Sequence, residues 1–496
     1  MDRATVILVC VALYMTMCLV VGIWAMRRTK STRDFFVAGR DLGILVTGVA
    51  VFSSTMSGFG FVGGPGLVYS LGVSSLWMVV AAPIGYYLNF YLLGKRLRLM
   101  GELCDSVSLP DVVAARYNSE ACRLLTAVSI VLGVMGYLGA QILAMATVLR
   151  DVISNHPAIG SVSLEACMAF ACAVLVFYCV TGGIIASVYT DLIQGLIMVV
   201  AALLVFAAAC RSFSGGMSGI VATIQSDNPE AMSPWGTLGM VGSLSCFFLF
   251  AVGNVGQPHV VTKLMMNKRI ADTKHIFLFT VVGYGLSALL WISIGLVMRA
   301  HVLAGSHPAL AASDQAAPKF LQAFAHPLLA GMVFAGLFSA IMSTADAFLN
   351  IGAAAIVHDI PRAIMGRSLV RELLWARLVT IVLAIIAAFF ALYLGDLVAI
   401  LGAFGWGTFA AALVPTVAIG FNWKRANAPA AIAAILSSLL INFVVRVGNI
   451  TLPHGLQVGA LALIVSLLLF FGISLCTCLL YTSDAADEGL GVDLGG

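Results

Sequence analysis

Apolar stretches about 20 residues long recur along almost the whole chain, and each is long enough to cross the hydrocarbon core of a bilayer. Thirteen of them are predicted as helices, over roughly 5–26, 43–66, 72–94, 124–149, 164–181, 186–209, 237–262, 276–298, 328–357, 378–395, 397–420, 428–445 and 456–477. Only 10% of the 496 residues are charged, against about 25% in soluble domains. A backbone in lipid must satisfy its own polar groups, and the helix does this within one segment. The expected fold class is therefore an all-α polytopic membrane protein of about 13 transmembrane helices. The first stretch runs straight into Arg27-Arg28-Thr29-Lys30 with no small-residue cleavage site after it, so it stays as a helix rather than a signal peptide.

Thirteen passes put alternate loops on opposite faces, and the basic residues divide accordingly. One set of loops holds 20 of the 26 Lys and Arg, the other 6, and none is left inside a predicted span. The positive-inside rule then places the N-terminus outside and the C-terminus in the cytoplasm. A net charge of +4, without any basic run interleaved with aromatics, gives no nucleic-acid partner. The eleven cysteines include no CxxC pair, which argues against a metal cluster or disulfide framework. No Walker loop, HExxH or GxSxG elbow is present, and the eight histidines are spread over loops on both faces, so an enzyme is not expected.

Ionisable groups and irregular backbone are costly at membrane depth, which makes them the first candidates for function. Asp191 and Asp346 are the carboxylates well inside predicted spans. Each reads either as an interhelical hydrogen-bond partner or as part of a site. Ser187, Asp191 and Gln194 share a helix face, as do Ala340, Ser343 and Thr344. The second span carries Ser53-Ser54-Thr55-Met56-Ser57-Gly58, followed by five more glycines up to Gly72, and this run is too rich in glycine and hydroxyls for a uniform helix. The seventh is interrupted by Gly253-Asn254-Val-Gly256-Gln257-Pro258-His259. Two broken helices five spans apart are the pattern of a transporter built from inverted five-helix repeats, with its site between them.

These residues resemble the sodium:solute symporters. The resemblance rests on Asp34-Phe-Phe-Val-Ala-Gly39-Arg40, Ser54-Thr-Met-Ser-Gly58, Gly182-Gly183 with Asp191-Leu-Ile-Gln194-Gly195, Gly256-Gln257-Pro258-His259, and Ala340-Ile-Met-Ser343-Thr344-Ala-Asp346, and it covers about residues 5–477. It implies a leucine-transporter-like core and a sodium ion held by backbone carbonyls of Ser53, Met56 and Ala340 and by the hydroxyls of Ser343 and Thr344. Asp191 and Asp346 would support that site. Some members, the sodium/proline carriers among them, hold an aspartate where this chain has Thr55. The serines that complete a second sodium site in some members are here Asp346 and Ala347, so one sodium is expected. A solute site would draw on Ser57, Gly58, Tyr137, Gln141, Phe250, Asn254, Gln257 and Trp406. Phe250 and Asn254 stand where proline carriers place large aromatics, which points away from proline.

The implied organisation is a first helix and cytoplasmic loop (1–42), a transport core (43–420) with repeats at 43–209 and 237–420, and two accessory helices (421–477). Residues 478–496 turn abruptly acidic and Gly-rich. The string Cys478-Leu-Leu-Tyr-Thr-Ser-Asp-Ala-Ala-Asp-Glu488 resembles a translated sequencing adapter, and the segment is expected to be disordered and foreign to the natural protein. The function expected is sodium-coupled import of a small polar organic solute across a bacterial inner membrane, with the lipid bilayer and the solute as partners and no obligatory protein partner. A non-transporting solute sensor of the same fold and a proton-coupled carrier are the alternatives.

Overall fold

Long runs of Leu, Val, Ile and Ala bond their own backbone and leave side chains to face lipid, and the protein is built almost wholly of such runs. The computed structural model describes residues 2–477 apart from 155, 157, 158, 395–397 and 449, and it has no strand among the described residues. The expectation for 478–496 lies outside the described residues. Eleven of the described helices are long and apolar enough to cross a membrane. They make thirteen passes, because two of the eleven double back.

The first of these, Phe59–Leu103, carries the second half of the second span and then the third. Its early part advances along the helix Thr273–Leu303, from Phe59 on Trp291 to Tyr69, whose carbonyl accepts from Arg299 at 3.3 Å. Its later part returns, with Phe90 on Phe277 and Gly94 against Thr273. The second is the 49-residue helix Leu164–Ser212, which if straight would measure about 73 Å at 1.5 Å per residue, more than twice a bilayer core of about 30 Å. Instead Tyr178 packs on Gly22, Gly182 on Ala25, and Gln194 comes back to donate to the Tyr14 hydroxyl at 2.6 Å. The reversal occurs at Gly183, with φ 55° and ψ −147°.

That backbone region is open to glycine alone, and a Cβ there would lie 2.5 Å from the Phe35 ring. Gly183→Val is expected to cost several kcal/mol, combining backbone strain of about 1–3 kcal/mol with overpacking of about 1–3 kcal/mol. The loss is read as a sharply reduced yield of monodisperse protein in detergent.

Both expected breaks are present. The second span is a helix Ile44–Thr55, then Met56 at φ −76° and ψ 88°, a π-helical turn Phe59–Gly63, and a helix Gly64–Leu71. Gly58-Phe-Gly60-Phe-Val-Gly63 has the glycine spacing of a dinucleotide-binding loop, but it lies within this helical segment rather than between a strand and a helix, so it carries none of that chemistry. The bare Cα of Gly64 meets the Trp291 indole, where a Cβ would come within 2.3 Å. The seventh span is Gly239–Gly253, a 3₁₀ turn Asn254–Gly256, extended Gln257 at ψ 109°, and Pro258–Leu264. Proline opens the last piece at a position where no N–H is needed.

The ninth span, Pro327–Ala354 continued by Ala355–Asp359 and Ile360–Met365, lies at the centre of the bundle. Its most apolar stretch is 83% buried, against 28% for the tenth, Glu372–Tyr393, which faces outward. Beyond the third span, Ser108 caps the helix Leu109–Tyr117 by accepting from the Asp111 N–H. The Asp111 carboxylate ties distant elements together. It binds Arg123 from the fourth span, His358 at 2.8 Å and Arg362 at 3.3 Å from the ninth, and His358 continues to Glu372 of the tenth at 2.6 Å.

Candidate ion and solute site

A helix leaves its last four carbonyls without intrahelical partners. Because the second span stops at Thr55, the Ser53 and Ser54 carbonyls are such orphans, and the ninth span takes them up. The Ser343 hydroxyl lies 3.0 Å from the Ser53 carbonyl and 3.1 Å from that of Ala340. The Thr344 hydroxyl lies 2.7 Å from the Ser54 carbonyl and 3.2 Å from that of Ala340. Ser53, Ala340, Ser343 and Thr344 thus converge on one buried point at the break, with Met56 three residues along the non-helical turn from Ser53. The oxygens there are neutral and closely spaced, the donor set that suits a sodium ion at an unwound helix.

Asp191 and Asp346 are both fully buried, Asp346 two residues beyond Thr344 on the ninth span. Asp346 accepts from Ser187 at 2.7 Å and from Tyr178 at 3.0 Å. Asp191 is paired with a cation that hydropathy had assigned to a loop. Lys263 is buried, its Nζ 2.7 Å from Asp191 Oδ2 and 2.9 Å from the Ala50 carbonyl. The expectation that no lysine or arginine enters the bundle is corrected here. The helix Pro258–Leu264 continues the seventh span inward of the break, and its apolar flank Val260, Val261 and Leu264 carries the lysine into the core. The histidines are likewise not all in loops, since His259 is enclosed against Phe348.

A cavity opens next to Thr55 and Met56, walled by the rings of Phe59, Tyr137, Phe250, Tyr284, Trp291 and Trp406. Phe250 stacks between Phe59 and Trp406, with centroid separations of 5.8 and 5.1 Å. Of the residues expected at a solute site, Tyr137, Phe250 and Trp406 line this cavity. Ser57 and Gly58 stand just behind it, Ser57 bonded to the Tyr137 hydroxyl at 3.0 Å and the Gly58 N–H donating to Gln141 Oε1 at 2.6 Å. Asn254 and Gln257 are turned to the seventh-span break. Asn254 accepts from Asn89, and Gln257 donates to the Gly253 and Trp406 carbonyls at 3.0 and 3.2 Å.

Residues 35–437 match the family model for the sodium:solute symporter family. The chain belongs to the sodium:solute symporter family. It is a sodium-coupled symporter that takes a small-molecule solute, a multi-pass bacterial membrane protein and not an enzyme. This symporter is 27% identical over 442 residues to the osmoregulated proline transporter OpuE of Bacillus subtilis, covering 87% of this chain and 86% of that one. It is 26% identical over 447 residues to a sodium/proline symporter of Staphylococcus aureus, covering 87% and 84%. Its fold is that of a Na+-coupled sialic acid symporter solved in a substrate-bound outward-open state, with a TM-score of 0.79 at 21% identity over 96% of this chain and 99% of that one. The nucleobase-cation symporter Mhp1 is more distant, with a TM-score of 0.54 at 15% identity over 92% and 97%. The leucine-transporter-like architecture expected from the two broken helices is the fold observed.

Sequence reasoning passed over Lys263, Phe59, Tyr284 and Trp291 in this symporter. A signal for the lysine was present, since a single cation between Val261 and Leu264-Met265-Met266 sits in a turn otherwise fit for a core. For the aromatics there was none, because rings on lipid-facing and cavity-facing helix sides read alike.

Proposed function

We propose that this symporter binds one sodium ion among the carbonyls of Ser53, Met56 and Ala340 and the hydroxyls of Ser343 and Thr344, and carries a small polar organic solute inward by alternating access. The observation that carries the reading is the meeting of the Ser343 and Thr344 hydroxyls with the orphan carbonyls of the broken second span. Each hydroxyl hydrogen is directed to a carbonyl, so the oxygen lone pairs remain for a cation. Asp191 and Asp346 brace the site from the sixth and ninth spans, with the Asp191 charge balanced by Lys263. Sodium acts by binding the outward-open state more tightly than the inward one.

The solute binds in the aromatic cavity between the repeats at 43–209 and 237–420. Its wall has no charged side chain, which favours a compact neutral or zwitterionic solute. Ser57, Gly58 and Gln141 supply polar groups at its edge. Proline, named for two relatives, is the first solute to test, followed by other small amino acids and monocarboxylates. The N-terminus lies outside the bacterial cytoplasmic membrane and residue 477 on the cytoplasmic side. In proteoliposomes, uptake of one member of this panel is expected under an inward sodium gradient and to collapse when choline replaces sodium. Equal uptake in the two media would overturn sodium coupling through this site.

A further inference from the structure

One helical turn before Ser53, the carbonyl of Ala50 accepts from Lys263 Nζ at 2.9 Å, and Asp191 Oδ2 lies 2.7 Å from the same nitrogen. Lys263 is 1% exposed and Asp191 fully enclosed. The ammonium is therefore held by a carboxylate and a backbone carbonyl, the kind of oxygen donors that hold a sodium ion at membrane depth. The other carboxylate oxygen, Asp191 Oδ1, is buried with no hydrogen-bond partner among the described residues. A buried carboxylate whose counter-ion is removed is strongly destabilised, so this position demands a cation. The chain supplies one from the seventh span, three residues away on the second span from the carbonyl of the coupling site. Neighbouring Asp346 meets its need with two hydroxyls instead.

We propose that the Lys263 ammonium is a tethered cation standing at Asp191 in place of a mobile ion, so that this symporter binds one sodium where the same chain without the lysine binds two. The lysine moves with the broken seventh span and remains in the protein through every cycle, whereas the ion at Ser343 and Thr344 is delivered. The proposal rests on the sodium site proposed above.

The test is saturation binding of radioactive sodium to purified protein in detergent, for the wild type, Lys263→Met, and Lys263→Met combined with Asp191→Asn. One ion per chain is expected in the wild type, two in Lys263→Met, and one in the double variant. No saturable binding by the wild type would overturn the coupling site itself. One ion in the wild type with one in a folded Lys263→Met would overturn the tethered cation alone, as would two ions in the wild type or two in the double variant. The thermal transition of Lys263→Met is also followed in sodium and in choline. Unfolding in choline that sodium reverses supports the proposal, and unfolding in both media overturns it, because sodium then does not replace the ammonium.

Discussion

A Thr344→Ala symporter is expected to need about ten-fold more sodium for half-maximal uptake. The Thr344 hydroxyl is one of five proposed ligands, and losing one oxygen contact to a charged group costs about 1.5–3 kcal/mol, of which 1.4 kcal/mol is already a factor of ten. The same hydroxyl is 2.7 Å from the Ser54 carbonyl, so its removal also leaves a buried acceptor unpaired and lowers stability. Thr344→Ser separates the two effects, because it restores the oxygen without the methyl group. Sodium titrations of uptake at fixed solute, normalised to protein in the membrane, make the comparison. A Thr344→Ala variant with wild-type sodium dependence would remove the hydroxyl from the site.

The second large effect is on stability. Asp111→Ala removes the shared acceptor of Arg123, His358 and Arg362, and leaves the Ser108 hydroxyl on Asp359 to hold the helix Leu109–Tyr117 to the ninth span. Arg123 is largely enclosed, and breaking such a pair by deleting one partner costs about 3–5 kcal/mol. The partial exposure of Arg362 puts the expected loss at the lower end, about 3 kcal/mol. Burial alone would raise the Asp111 carboxyl, but the His358 hydrogen bond, the Arg123 charge and the Val107 N–H outweigh it and hold it well below the ordinary value of 3.8. A depressed carboxyl stabilises the fold above its ordinary range and loses that contribution as pH falls through the lowered value. Wild-type thermal midpoints are therefore expected to keep this contribution down to about pH 4 and to lose it only in stronger acid. The gap to Asp111→Ala narrows over the same interval. Thermal melts in detergent across an acid series test both the size and the sign.

What could be read in the sequence follows from how strongly a bilayer constrains it. The thirteen passes were legible because an apolar run of fixed length has one use in lipid, and even the two doubled helices came out correctly, since Gly72 interrupts the pattern of the first and Gly182-Gly183 that of the second. The breaks at Met56 and Gln257 were legible for the converse reason, as glycine, proline and hydroxyl clusters have no place in a plain membrane helix. The meeting of Ser343 and Thr344 with Ser53 and Ser54 spans 290 positions, and it came through only because the resemblance aligned both stretches. Lys263 and Asp191, 72 positions apart, had no such help. Loop-counting absorbed the lysine as one more positive charge. Asn254 and Gln257 show the same limit in reverse, for an amide at a broken helix reads as ligand-facing, whereas here the Gln257 amide donates to the Gly253 carbonyl of the break and Asn254 accepts from Asn89 of the third span.

The contact between Gly64 and Trp291 constrains how this sequence is able to drift. The indole fills the volume that any side chain at 64 would need, so neither position is free to change alone. A larger residue at 64 is tolerable only after 291 has shrunk, and a smaller residue at 291 opens a void in the cavity wall until 64 has grown. Descendants of this chain are therefore expected to keep glycine with tryptophan or to exchange both together, and a sequence carrying only half of that exchange marks a lineage whose aromatic cavity has been rebuilt.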